Sequence, residues 1–269
     1  MEDITIIVKT MDRYESLQKL LKSVFKIYPD INIIIADDGE ESCKEKILNK
    51  FKEKEIEYYE LEKDVGLSAG RNFLINKVKT KYFLLLDDDM EIDKKTDIEY
   101  AVKKLEEEEL DIIGGYCRNY KTINNNFDRI LVFFEKIFRY ELPTNYIGTL
   151  RMENDVFYAD YIVHKFPEYT TSDIVLNAFI AKTKSIIDMG GWDEKLKLQE
   201  HTEFFYRAKL NKLKVAFTNR FSIQHHPMRL KDYKKKRERD YTDIFMNKYK
   251  IKKIIRTYDD KRGTVITEK

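Results

Sequence analysis

Cysteine is scarce in this chain. Cys43 and Cys117 are the only two among 269 residues and show no metal-ligand spacing, which excludes a disulfide framework and a thiolate metal site and leads us to expect a reducing compartment. Long apolar runs are missing too. No stretch approaches 18 apolar residues, and the start, MEDITIIVKT, lacks the basic opening and long apolar centre of a signal peptide. A soluble, cytoplasmic chain is expected, with an excised membrane anchor as the alternative. There is no internal repeat and no low-complexity linker. Net charge is nearly absent as well: 50 Lys+Arg against 48 Asp+Glu leave +2, so no chain-wide polyelectrolyte partner is implied and nucleic acid is not expected.

What is present is a foldable core. Hydrophobic residues make up 42% and aromatics 13%, enough for one large domain or a domain with an appendage. Through residue 115, strand-like and helix-like segments alternate: ITIIV, then YESLQKLLKSVFKIY with Leu17, Leu20, Leu21, Val24 and Phe25 at helical spacing, then NIIIADDG. A polar helix from Cys43 to Lys54, a strand IEYYEL, a helix opening in AGRNFLINKV, the strand YFLLL, a helix in DIEYAVKKLEEEE and the strand LDIIGGY follow. This alternation predicts an α/β fold with a mostly parallel central sheet flanked by helices, whose ligands bind beyond the carboxyl ends of the strands. Residues 118 to 170 are rich in Phe, Tyr and Asn without a clear period, and read either as an irregular or β-rich excursion completing the core or as a substrate-recognition insert. HTEFFYRAKLNKL then reads as an amphipathic helix. The tail from Leu230 reads as a basic helical segment, ending in a loose or extended TYDDKRGTVITEK.

Three consecutive aspartates, Asp87, Asp88 and Asp89, follow the buried run YFLLL. Two carboxylates about 5 Å apart repel by roughly 3 kcal/mol at an effective dielectric near 20, so such a trio requires a cation, a protonated member or full solvation. Asp87 and Asp89 alternate along an extended chain and point the same way, while Asp88 points elsewhere. Hard divalent cations prefer oxygen ligands, which suits an Asp-x-Asp arrangement. The other end of the same rim receives Thr10 to Arg13 after the first strand, and Asp37 and Asp38 after the second.

VKTMDRYESL, IIADDG, LSAGRN, TKYFLLLDDDM, SDIVLNAFIAKT and EHTEFF, in this order over about residues 4 to 226, resemble the family 2 glycosyltransferases with the GT-A nucleotide-sugar fold. The pattern is similar in particular to the ganglioside-synthase type of β-1,4-N-acetylgalactosaminyltransferase catalytic domain. The resemblance implies a GT-A catalytic domain over 1–228, with a nucleotide-binding half (1–117), an acceptor half (118–228) and a basic helical extension (229–269). It implies inverting transfer of a sugar, N-acetylgalactosamine foremost, from a UDP-sugar to a hydroxyl of a glycan or glycoconjugate, with Mn²⁺ or Mg²⁺. Asp89 is then the direct metal ligand, Asp87 meets ribose or a metal-bound water, Asp88 lies beside the donor or stabilises the loop, and His225 supplies a late metal ligand with His226 as its alternate. Asp38 matches the carboxylate that accepts from uracil N3–H, with a turn or helix-cap role as the other reading and Asp37 supporting the loop. Thr10 and Arg13 are expected at the same base. Arg71 is expected at the nucleotide or diphosphate, or in a surface ion pair.

Inversion needs a base for the acceptor hydroxyl, and QEHTEFF offers three. His201 occupies the place of the family's usual aspartate, Glu200 matches the preceding acid, and Glu203 is expected to orient the acceptor or to be a helix-face charge. A neutral imidazole can accept a proton at neutral pH, which leaves Glu200 and His201 both open. Trp192 either stacks on a sugar or anchors the core; Asp173 and Asn177 resemble the donor-sugar pocket. Twelve Lys/Arg against four Asp/Glu from Arg229 to Arg256 make either a solvated helical face, a peripheral contact to anionic lipid or a site for an acidic acceptor. The rival readings are a nucleotidyltransferase, opposed by the lack of a glycine-rich phosphate loop after the first strand, and a noncatalytic carbohydrate or anionic-surface binding module.

Overall fold

The computed structural model of the chain describes residues 2–119, 145–226 and 241–268. The first half forms as its periodicities dictate: β1 (Ile4–Thr10), α1 (Tyr14–Ile27), β2 (Asn32–Asp37), α2 (Lys44–Lys50), β3 (Ile56–Glu60), α3 (Leu67–Ile75) and β4 (Tyr82–Asp87). Alternation along β1 sends Ile4, Ile6 and Val8 to one core, beneath α1, and Ile7 to the other, beside Leu74 and Ile75 of α3. The helical spacing of Leu17, Leu20, Leu21 and Val24 buries all four completely; each contributes at most about 1.5–3 kcal/mol. These strands lie in the order β3-β2-β1-β4, all parallel. The chain leaves β1 on one side and returns at β4 on the other, which opens a crevice at their carboxyl ends.

The remaining elements are β5 (Met90–Glu91), α4 (Ile98–Glu107), β6 (Ile112–Asn119), β7 (Ile147–Glu153), β8 (Val156–Ile162), β9 (Tyr169–Thr171), β10 (Phe179–Lys182), α5 (Thr183–Asp188), α6 (His201–Leu210), β11 (Val215–His225), α7 (Thr242–Tyr249), β12 (Lys253–Tyr258) and β13 (Thr264–Glu268). Beyond β4 the main sheet is mixed. β10 is inserted antiparallel between β4 and β6, and β11 runs parallel to β6 but antiparallel to β5 and β9. The expected parallel character therefore holds without interruption for the first four strands and returns in the β6–β11 pair. β10 follows β9 with no helix between them, and apolar periodicity carries no strand direction.

A second sheet has the order β13-β12-β8-β7. From Ile147 the region read as irregular or β-rich is a β7–β8 hairpin turning at Asn154 and Asp155, both with positive φ, as a two-residue turn matched to strand twist requires. The C-terminal extension, expected to be helical, is not so throughout: after α7 it forms the β12–β13 hairpin, with β12 parallel to β8, so its end is extended and paired, not loose. The reason is burial. Ile254 is wholly buried, Tyr258 stacks on Tyr161 at 5.2 Å and Phe245 of α7 meets Phe157 at 5.1 Å. The Phe/Tyr/Asn-rich stretch 120–144 and the basic run 227–240, with the lipid contact expected of it, lie outside the described residues. Among the described residues no helix is long and apolar enough to cross a membrane.

Candidate active site

A cleft of about 240 Å³ opens where β1 and β4 diverge, walled by Lys9, Thr10 and Arg13 from the end of β1 and by Asp87, Asp88 and Asp89 from the end of β4. β5 follows the triplet at once and pairs with the end of β11, setting His225 opposite Met90 while the His226 N–H donates to the Asp89 carbonyl at 2.8 Å. This pairing brings together residues far apart in sequence: His225 Nε2 lies 3.5 Å from Asp89 Oδ1. His226 faces Glu91 instead, at 3.7 Å.

The triplet is not solvated. Asp88 is 2% exposed, and its oxygens take Thr10 Oγ1 at 2.6 Å and Arg13 Nη1. Burial pushes its carboxyl up to about 7, against the pull of Arg13 and with a further push from Asp89. Arg13 Nη2 reaches Asp89 Oδ2 at 2.9 Å. For Asp89, burial opposes the charge but His225 and Arg13 together outweigh it, holding the carboxyl below its usual range. For His225 burial likewise opposes the imidazolium, and Asp89 reverses the outcome and raises the pKa. Thr10 and Arg13, expected at the base, thus serve the triplet. Asp89 Oδ1 and His225 Nε2 are an oxygen and an imidazole nitrogen spaced to share one cation with a small adjustment, leaving its other positions for ligand oxygens. Among the described residues no group of three His, Cys, Asp or Glu is gathered to hold a metal.

Asp38 also lines the cleft but its carboxylate is buried, ion-paired to Lys9 and accepting from the Gly66 N–H at 3.1 Å. It ties the β2 loop to the start of α3 and does not cap the helix that follows it, α2. Burial lowers the Lys9 pKa and Asp38 partly restores it. Asp37 supports the loop as expected: Oδ1 takes the Gly39 N–H at 3.0 Å and Oδ2 the Tyr58 hydroxyl at 2.6 Å.

Arg71 departs from both of its expected settings. It is wholly buried, ion-paired to Glu200 through Nη1 and to Asp87 through Nη2 at 3.0 Å. Adjacent nitrogens of one guanidinium therefore hold a rim carboxylate and a candidate base. Glu200 Oε1 meets Arg71. Next to it, His201 Nδ1 lies 2.7 Å from Asn177 Oδ1 and Nε2 is buried without a partner. Burial, then the nearby Arg71 charge, lowers the His201 pKa to about 3.

Three further residues are held by contacts within the protein. Glu203 is wholly buried and takes Arg207 at 3.0 Å, Lys248 at 2.7 Å and Tyr249 at 2.9 Å, clasping α7 to α6. Trp192 is 2% exposed and stacks on Phe204 at 4.5 Å, the core-anchor alternative. Asp173 accepts from the Leu150 N–H at 2.8 Å and from Lys209 at 2.6 Å, so it braces β7 against α6. Sequence reasoning missed Lys9, Lys197 and Tyr241, which also line the cleft. Lys9 had a signal, as the lone charge inside an otherwise apolar strand; the other two had none.

Comparison with known proteins agrees with this arrangement. Residues 5–160 match the model of Glycosyl transferase family 2. The chain is 34% identical over 202 residues to mouse Beta-1,4 N-acetylgalactosaminyltransferase 2, covering 75% of this chain and 35% of that protein. Against human Beta-1,4 N-acetylgalactosaminyltransferase 1 it is 29% identical over 222 residues, covering 82% and 38%. The chain thus spans little more than a third of the length of these curated relatives. The fold matches that of S. aureus TarS 1-349 in complex with UDP-GlcNAc, with a TM-score of 0.59 at 16% identity over 85% of this chain and 59% of that one. It also matches GalNAc-T7 with UDP, GalNAc and Mn²⁺, with a TM-score of 0.60 at 13% identity over 83% and 44%. The central sheet with its rim of carboxylates is that of a GT-A glycosyltransferase, and the chain belongs to glycosyl transferase family 2.

Proposed function

We propose that this chain binds a UDP-sugar in the cleft between β1 and β4 and transfers the sugar, with inversion, to a hydroxyl of a glycan or glycoconjugate, with N-acetylgalactosamine as the leading donor sugar. One observation carries the proposal: the aspartate triplet faces a cleft at the switch point of the parallel strands, with His225 3.5 Å from Asp89. The names of the N-acetylgalactosaminyltransferase relatives support the choice of sugar.

Asp89 and His225 would hold a divalent cation, Mn²⁺ or Mg²⁺, with Asp87 on its other side toward the donor. Such a cation, when bound, offsets the negative charge that grows on the departing diphosphate. Arg13 and Thr10 fix the triplet, and Asp38, released from the Gly66 N–H as the loop adjusts, would accept from the base. Glu200 is the better base for the acceptor hydroxyl. Arg71 holds it beside Asp87, whereas His201, neutral down to about pH 3, is too weak a base to retain a proton in the transition state. Asn177 would then orient the neutral His201 ring on the acceptor side.

The test is a panel of nucleotide sugars incubated with the protein in Mn²⁺ or in EDTA, scored for release of nucleoside diphosphate. UDP-N-acetylgalactosamine turned over only with metal is the expected result; turnover confined to another nucleotide's sugars would overturn the donor assignment.

A further inference from the structure

The cleft wall carries three lysine or arginine side chains among the described residues, and they are differently committed. Lys9 is buried against Asp38, and Arg13 is buried against Asp88 and Asp89. Lys197 is less committed: its side chain is 40% exposed, Asp64 Oδ2 is 3.9 Å away at the outer limit of an ion pair, and among the described residues its ammonium donates one hydrogen bond, to the Asp64 carbonyl at 2.7 Å. A carbonyl contact neutralises no charge.

The backbone beneath it is rigid. Ser68 Oγ donates to the Leu196 carbonyl at 2.5 Å, the Leu67 N–H donates to the Lys197 carbonyl at 2.9 Å, and Glu200 anchors the end of the strap through Arg71. The stem of Lys197 lies directly on Gly66. A Cβ added there would fall 2.7 Å from Lys197 Cβ and 2.9 Å from Cγ, and Gly66 sits at φ +94°, so any other residue would both strain the backbone and push the lysine away. The start of α3 is therefore shaped to receive this side chain, whose residue lines the cleft.

A nucleoside diphosphate brings at least two negative charges into a cleft whose own carboxylates already number five in the wall, Asp38, Asp64, Asp87, Asp88 and Asp89. Beside the divalent cation proposed above, a lysine whose charge no close carboxylate already offsets can share in the compensation. Resting on the UDP-sugar reading above, we infer that Lys197 is a further catalytic residue, which touches the donor diphosphate and stabilises it as the glycosidic bond to the sugar breaks. The acceptor oxygen bonds to the anomeric carbon as its proton passes to Glu200, the bond to the departing phosphate oxygen breaks and leaves its electrons there, and the negative charge on the diphosphate grows by one.

The experiment compares calorimetric titrations of UDP and of uridine into the full chain, with MnCl₂ present, for wild type, Lys197→Met and Lys197→Arg. The exposed side chain makes a folded variant the expectation, checked by an unchanged melting temperature. Lys197→Met is expected to weaken UDP about 10-fold or more, in the range of a lost charge-assisted hydrogen bond, to leave uridine unchanged, and to be largely rescued by Lys197→Arg. Equal effects on UDP and uridine, or none on either, would overturn the role of Lys197 while leaving the UDP site standing. Wild type that binds UDP no more tightly than uridine would instead overturn the UDP-sugar reading, and this inference with it.

Discussion

The guanidinium of Arg71 is wholly buried against Glu200, 129 residues later in the chain. Through its second nitrogen it also holds Asp87 at 3.0 Å, so one side chain joins the end of β4 to the start of α6. A buried ion pair is not a dependable source of stability, but removing one partner strands the other. Arg71→Met is expected to lower stability by about 3–5 kcal/mol in urea denaturation, and adding Glu200→Gln to return part of that loss. Equal costs for the single and double variants would show that the pair is not what Arg71 sustains.

Glu203 is expected to behave as a structural residue. Arg207, Lys248 and Tyr249 all converge on it, so Glu203→Ala leaves a buried cluster of donors unpaired and costs about 3–5 kcal/mol. Glu203→Gln keeps the shape and should cost less, with UDP affinity as in wild type. A Glu203→Gln protein of normal stability that binds UDP but fails to transfer sugar would return Glu203 to the acceptor site.

His201 makes stability depend on pH in a definite direction. Its pKa falls from 6.5 in the unfolded chain to about 3 in the fold, so between those values the unfolded state binds the proton and the folded state does not. The stability is whole above pH 6.5 and declines by about 1.4 kcal/mol per pH unit below it. Denaturation curves from pH 7 to 5 should therefore show a shallower acid decline for His201→Gln than for wild type, by about 2 kcal/mol at pH 5. Parallel curves would place the imidazole in contact with solvent.

Within the triplet, the members should separate by function. Asp89→Ala is expected to abolish the metal-dependent part of UDP affinity while the fold persists. Asp88→Asn, which keeps contact with Thr10 and Arg13 in a group whose acid burial already pushes up to about 7, should retain that metal dependence. Metal-dependent UDP binding unchanged in Asp89→Ala would remove Asp89 from the cation site.

Much of this was legible from local pattern. Short continuous apolar runs in β1 and β4 and the helical spacing in α1 located the parallel half of the sheet, and the place of Asp87 to Asp89 after a buried strand located the cleft. What was not legible depends on partners distant in sequence. Nothing near Glu203 announces Lys248, and nothing near Arg71 announces Glu200. A helix-face charge and a buried clasp read alike until the partner is known. Trp192 carried the same ambiguity, which stacking on Phe204 resolves toward the core. The antiparallel entry of β10 and the β12–β13 hairpin were hidden because apolar spacing fixes which face is buried but not strand direction or pairing.

The most direct test of the central claim is a calorimetric titration of UDP into the wild-type chain in MnCl₂ and again in EDTA. The account predicts saturable binding in Mn²⁺ that is lost or strongly weakened in EDTA. Absence of UDP binding with the metal present would contradict it.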